Sequence, residues 1–158
     1  MRQYRNKEED GYKRGGCVPR NMDKWLGDGG MPLLEELGVT IKSYGAGFAE
    51  ADWMPTPLCC NPQGYVQAGV FAVALDALMN FAVLAALESG ETTATLEMKT
   101  SNLRPAVEGK SLRVEGRVER VGSAVAFTVG SVTDQAGRTV AQAMGTFFLR
   151  KHKTPDRS

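Results

Sequence analysis

Between Gln67 and Leu87 the chain runs apolar and alanine-rich, and it carries a single charge, Asp76. A helix with no polar face has to be enclosed on every side. A lone ionised carboxylate inside such a helix costs several kcal/mol unless something compensates it. The run therefore demands an enclosing structure, and Asp76 is the leading candidate for chemistry. Just upstream, Asn61-Pro62-Gln63-Gly64-Tyr65-Val66-Gln67-Ala68-Gly69 is rich in turn residues and delivers the chain into the helix. The run approaches the roughly 20 residues that cross a bilayer. Asp76 and Asn80 near its centre, alanine in place of leucine, and the lack of flanking basic clusters argue against a membrane span.

The enclosing surface is legible as alternation. Ala94, Leu96 and Met98 alternate with Thr95, Glu97 and Lys99, and Leu112, Val114 and Val118 alternate with Arg113, Glu115, Arg117 and Glu119. This is strand periodicity with one solvated face. Gly122-Ser123 and Asp134-Gln135-Ala136-Gly137 are turns that link this strand to Val125–Thr133 and then to Arg138–Arg150. Ahead of the helix, Val39–Phe48 and Asp52–Cys59 read as two further strands interrupted by glycine and proline. Pro32–Leu37 reads as a short helix with Leu33, Leu34 and Leu37 turned inward. The order implies an α+β fold, a curved antiparallel sheet of about five to six strands wrapped around one long central helix.

A chain of 158 residues, 42% hydrophobic and 23% charged, suits one core. Residues 1–30 are expected to be a mobile or loosely docked arm, 31–150 the folded domain and 151–158 a basic tail. A net charge of +1 argues against a nucleic-acid partner. Cys59 and Cys60 are adjacent and unsuited to pairing with each other, Cys17 stands apart, and the first residues are charged, so a cytoplasmic location is expected. With no paired histidines or spaced cysteines, no metal site is expected. The only histidine, His152, lies in the basic tail, which leaves Ser-His-Asp and Cys-His chemistry without its base.

Asn61, Gly64, Gln67-Ala68-Gly69 and Asp76 resemble the motif of the hotdog-fold thioesterases of the phenylacetate-pathway type. That motif is an Asn, a Gly three residues on, His-Gly-Gly three beyond, and an acidic residue seven after the second Gly. Asn102-Leu103-Arg104-Pro105-Ala106 and Ala141–Phe147 are similar to later strands of that family. Gln67 and Ala68 depart from its His-Gly, which removes an imidazole and keeps the backbone amides.

The resemblance implies hydrolysis of acyl-coenzyme A to free acid and coenzyme A, with no metal and no organic cofactor. Asp76 would be general base or nucleophile, and the Ala68 amide, with Gly69 permitting close approach, would be the oxyanion donor. Asn61 would orient water or thioester, Thr95 would bond the water or Asp76, and Gln67, Gly64 and Arg104 would contact substrate. Each has a plainer alternative: Asn61 as a turn residue, Gln67 as a helix cap, Thr95 as strand filler, Asp76 as a buried acceptor, Arg104 as a solvated strand end. The acyl group stays open, because pocket depth would depend on which of Phe71, Leu75, Met79 and Trp53 face the tunnel. The resemblance also implies a homodimer joined edge to edge, with each site shared between subunits, and a possible pairing of dimers. A non-catalytic protein that binds or senses acyl-coenzyme A is the other reading.

Overall fold

In a computed structural model the described residues are 31–88 and 90–150; the expected arm, the basic tail, Cys17 and His152 lie outside them. Six strands form one antiparallel sheet in the order β1-β2-β4-β5-β6-β3. They are β1 (Val39–Gly45), β2 (Phe48–Trp53), β3 (Thr92–Asn102), β4 (Leu112–Val121), β5 (Val125–Asp134) and β6 (Thr139–Arg150). A short helix α1 (Pro32–Glu36) precedes them, and the long helix α2 (Ala68–Ala86) lies between β2 and β3. Because β2 sits near one edge and β3 forms the other, the segment joining them has to carry the chain across the whole sheet. Helix α2 does so over one face, packing on all six strands.

That face is built from alternate residues: Ala49, Ala51 and Trp53 of β2, Leu112 and Val114 of β4, Ala126 and Val132 of β5, and Ala141, Ala143, Phe147 and Leu149 of β6, all buried. At its centre the side chains shrink to nothing. Gly116 of β4 pairs with Gly130 of β5, and Gly145 follows on β6. A Cβ on Gly116 would lie 2.3 Å from the Leu78 carbonyl oxygen and 2.6 Å from the Met79 nitrogen, so helix backbone rests directly on strand backbone there. At Gly130 a Cβ would meet side chains first, Leu75 Cδ2 at 3.0 Å and Met79 Cγ at 3.1 Å, and then the Glu115 carbonyl oxygen at 3.2 Å. Met79 fills the remaining hollow, its sulfur 3.2 Å from the Thr128 hydroxyl, which also lies 3.1 Å from the Gly145 carbonyl.

Several expectations need correction. The expected strand Val39–Phe48 is divided by the turn at Gly45-Ala46-Gly47, where Gly47 has φ +83. The following strand therefore begins at Phe48 and stops at Trp53, and Pro57–Cys59 is a 3-10 turn. Prolines at 55 and 57 lack the N–H that a ladder needs. Leu34 of α1 and Leu37 just beyond it are buried, but Leu33 is 48% exposed. In β3 a bulge between Thr95 and Glu97 breaks the alternation: Thr95 pairs with inward-facing Phe147, Glu97 with Thr146 on the other face, and Leu96 is left exposed between them. Thr93 and Thr95 thus share the helix side with Met98, and Ala94 faces away. An added residue of this kind reverses the parity of everything beyond it.

The glycine trough sets a stability test. Gly116→Ala should cost about 2 kcal/mol or more in urea unfolding, because backbone atoms lie within 2.6 Å of the new Cβ, whereas Gly130→Ala, whose nearest obstacles are side-chain atoms and whose nearest backbone atom is 3.2 Å away, should cost about 1 kcal/mol.

Candidate active site

Helix α2 is not enclosed all round, contrary to expectation. Gly69 is exposed, and Ala72, Val73, Asp76 and Asn80 are half-buried; the spacing places them in one stripe. The stripe lies on the β3 side of the helix. Thr95 donates its hydroxyl to Asp76 Oδ1 at 2.8 Å. The carboxylate is therefore oriented from the neighbouring strand, with its second oxygen left for another partner. Sequence could not reveal the opening, because most of the stripe is as apolar as the buried faces. Asn80 and Thr93 belong to the same surroundings and sequence reasoning gave them no role. The signal available was their spacing, one helical turn beyond Asp76 and two strand residues before Thr95. The Thr93 hydroxyl is buried without a hydrogen-bond partner among the described residues.

A second group of candidates collects at the start of α2. Asn61 Oδ1 accepts from the amides of Gln63 (3.0 Å) and Tyr65 (3.3 Å), closing a turn that contains Gly64 at φ +83. The Tyr65 carbonyl accepts from the Asn61 amide at 2.8 Å, and the Gln67 amide donates to the Cys59 carbonyl at 2.8 Å. These bonds aim the chain into the helix. Gln67 is the N-cap residue, but its side chain makes no capping bond. The Ala68 and Gly69 amides consequently have no partner among the described residues, and a Cβ on Gly69 would meet nothing within 4 Å. Two unpaired donors thus stand at the positive end of the helix dipole, facing open space. The segment following β3 lies alongside, since the Val66 amide donates to the Ala106 carbonyl at 2.9 Å and Tyr65 bridges to Val107. Arg104, in that segment, donates from its guanidinium to the Thr139 carbonyl.

The candidates therefore fall into two clusters. Asn61, Gly64, Gln67, Ala68 and Gly69 gather around the helix start, Asp76 with Thr95 lies further along, and Arg104 belongs to neither, its amide and guanidinium bonded to carbonyls at the start of β6. Eight residues of helix separate Ala68 from Asp76, about 12 Å at 1.5 Å per residue. The four residues expected to shape an acyl pocket do not line the open stripe. Trp53, Phe71, Leu75 and Met79 are all buried at 2% exposure or less, with Trp53 and Phe71 in edge contact at 5.4 Å. Cys59 is likewise core, its thiol directed at the Leu37 carbonyl.

A long helix laid across an antiparallel sheet, with unpaired amides at its start and a carboxylate on its open stripe, is the hotdog architecture. Comparison with known proteins places the chain within it. The profile of the Thioesterase superfamily matches residues 63–141. A phenylacetic acid degradation-related protein from Ralstonia eutropha is 34% identical, with 84% of this chain and 99% of that one aligned at a TM-score of 0.72. The chain belongs to the thioesterase superfamily. The PaaI protein of the Escherichia coli phenylacetic acid degradation operon shares the fold at 19% identity, covering 85% of this chain and 94% of its own at a TM-score of 0.76. So does smu.793 of Streptococcus mutans, solved with acetyl CoA, at 20% identity, with coverage of 73% and 91% and a TM-score of 0.67. No curated protein matches the chain.

Two measurements test the local geometry. Asn61→Ala should lose about 1 kcal/mol in urea unfolding, since the acceptor for two turn amides goes, and Asn61→Asp, which keeps that oxygen, should recover it. Thr95→Val should shift stability by only about 0.5 kcal/mol, because its bond to Asp76 is exposed.

Proposed function

We propose that the protein hydrolyses acyl-coenzyme A thioesters, releasing free acid and coenzyme A, with Asp76 as the acidic catalytic group and the amides at the start of α2 as the oxyanion hole. Membership of the thioesterase superfamily supports thioester hydrolysis. The observation that carries the finer reading is the pair of unpaired amides, Ala68 and Gly69, opening onto free space on the same helix that bears an oriented carboxylate. Attack on a thioester carbonyl puts negative charge on its oxygen, and preorganised amides aimed at that charge contribute about 2.7 to 4 kcal/mol each. Asp76, its Oδ1 held by Thr95, would present Oδ2 to a water, as general base, or to the carbonyl carbon, as nucleophile. Neither role calls for a metal or an organic cofactor.

One carbonyl has to lie about 3 Å from both oxyanion donors and catalytic carboxylate, and within one chain these are about 12 Å apart along the helix. A homodimer removes the mismatch. Strand β3 is an edge strand beside the open stripe, and pairing it with its counterpart would bring the helix start of one subunit toward Asp76 of the other. An unpaired edge of this length is itself a liability that association resolves. Asn61, Gly64 and Gln67, grouped at the helix start, would then meet the thioester, and Arg104, at the start of β6, the coenzyme A portion.

The test is thiol release from a panel of short, medium and aromatic acyl-coenzyme A esters. Asp76→Asn should lower kcat by about 10²-fold or more, with folding retained; unchanged turnover in Asp76→Asn and Asp76→Ala would refute the assignment. Tight ester binding without turnover in the wild type would indicate the sensing role instead. Ala68→Pro removes the donor while suiting the first helical position, and the residue before it, Gln67, already has ψ 137. It should lower kcat by about 10²-fold to 10³-fold. Mixed dimers of Ala68→Pro with Asp76→Asn keep one intact site of two, so an equimolar coexpressed mixture should regain about a quarter of wild-type activity, and no recovery would place both groups within one subunit.

A further inference from the structure

Along α2 only two side chains are polar, Asp76 and Asn80, and the catalytic reading uses the first alone. Asn80 lies one turn beyond Asp76 on the same open stripe and is half-buried. The stripe ends with it, since Phe81, Ala82, Val83, Leu84 and Ala85 are all buried. Partial burial of a carboxamide has a desolvation cost that an apolar residue would avoid. Across from it, strand β3 repeats the arrangement. Thr93 pairs with Leu149 and Thr95 with Phe147, both buried against the helix, so both hydroxyls lie on the α2 side. Five residues join α2 to β3, and the strand runs back beside the helix in the opposite sense. Four residues of helix advance about 6 Å and two of strand about 6.6 Å. The step from Asp76 to Asn80 therefore matches the step from Thr95 to Thr93, and Asn80 comes level with Thr93 as Asp76 does with Thr95. The Thr93 hydroxyl oxygen is buried without a hydrogen-bond partner among the described residues, which costs about 1 to 3 kcal/mol and calls for an explanation in function.

We propose that Asn80 holds the attacking water beside Asp76, and that Thr93 orients Asn80 as Thr95 orients the carboxylate. This rests on the catalytic reading, with Asp76 acting on water as general base. Too deep for solvent, Thr93 Oγ can be satisfied only by protein, and Asn80 is the polar side chain level with it on the facing helix. With Asn80 Nδ2 donating to Thr93 Oγ, Asn80 Oδ1 is turned toward the gap beside Asp76 Oδ2, the oxygen that Thr95 leaves free. Residues four apart on a helix are neighbours, so one water can donate a proton to each oxygen and keep a lone pair for the thioester carbonyl carbon. As the water oxygen bonds to that carbon, its proton passes to Asp76 Oδ2 and the carbonyl electron pair moves onto the oxyanion held by the amides. Return of that pair breaks the C–S bond, and the departing thiolate takes the proton from Asp76, leaving free acid and thiol. A neutral acceptor suits position 80, because a second carboxylate would repel Asp76 and a cation would neutralise it.

Thr93→Val separates activity from stability. Loss of an unpartnered buried hydroxyl should leave urea stability equal or higher, while kcat falls about threefold or more with KM unchanged; Thr93→Ser should keep wild-type turnover. Asn80→Ala, which suits a helix, should lower kcat about tenfold. It should also raise the ratio of methyl ester to free acid formed when methanol is added, because a water no longer held competes less well. In heavy-oxygen water the label should enter the acid and never Asp76. Wild-type kcat and product ratio in Asn80→Ala, wild-type kcat in Thr93→Val, or label in Asp76 would overturn the proposal; with Asp76→Asn still inactive, the hydrolase reading would stand. Full turnover in Asp76→Asn, or none in the wild type, would overturn both together. Should Asn80→Ala not fold, Thr93→Val and Thr93→Ser decide by the same readings.

Discussion

Helix α2 and strand β4 touch backbone to backbone at Gly116, and the rest of the molecule is registered against that contact. Any Cβ there would collide with the Leu78 carbonyl, so the helix can settle at this depth only over a glycine. Gly130 and Gly145 extend the depression across β5 and β6, and Met79 fills what the glycines leave. With depth and rotation set at Leu78 and Met79, the buried faces follow, and so does the direction of the open stripe. Asp76 lies three residues before Met79, and its meeting with Thr95 is a consequence of where the helix rests.

The same placement accounts for the separation of the polar groups. Carboxylate and amides share one rigid helix, so their spacing is fixed by helical rise and cannot close by loop motion. Rigid elements hold reactive groups better than loops do. The cost is that one chain cannot bring both the start of its helix and Asp76 to one small reactant. The exposed β3 edge beside the stripe and the unpaired amides at Ala68 and Gly69 are the two features on which the proposed sharing of the site between subunits rests.

Much of this architecture was legible in the sequence, and the failures have physical causes. Strand β4 announces itself because one face meets the helix and the other carries charge, so Leu112, Val114 and Arg113, Glu115 alternate cleanly, while β5 and β6 are marked out by the turns at Gly122-Ser123 and Asp134–Gly137. Helix α2 is legible because nothing else needs so long an uncharged run. The β1–β2 hairpin is obscured because Gly45 and Gly47 sit in a stretch that otherwise reads as one strand. The bulge at Leu96 leaves no mark in composition, yet it decides that Thr95 faces the carboxylate. The site motif was visible as spacing, while burial was not: Phe71, Leu75 and Met79 differ from Val73 only in which way the helix is turned.

The uncapped start of α2 has a thermodynamic side. Serine, threonine or aspartate at the N-cap position would give the helix about 1 kcal/mol, and Gln67 forgoes it, its side chain making no such bond. A short polar side chain there would fold over the first amides and occupy them as a permanent internal ligand. The molecule thus forgoes that stabilisation and leaves the Ala68 and Gly69 amides open, and a capping substitution at Gln67 would add stability while closing them.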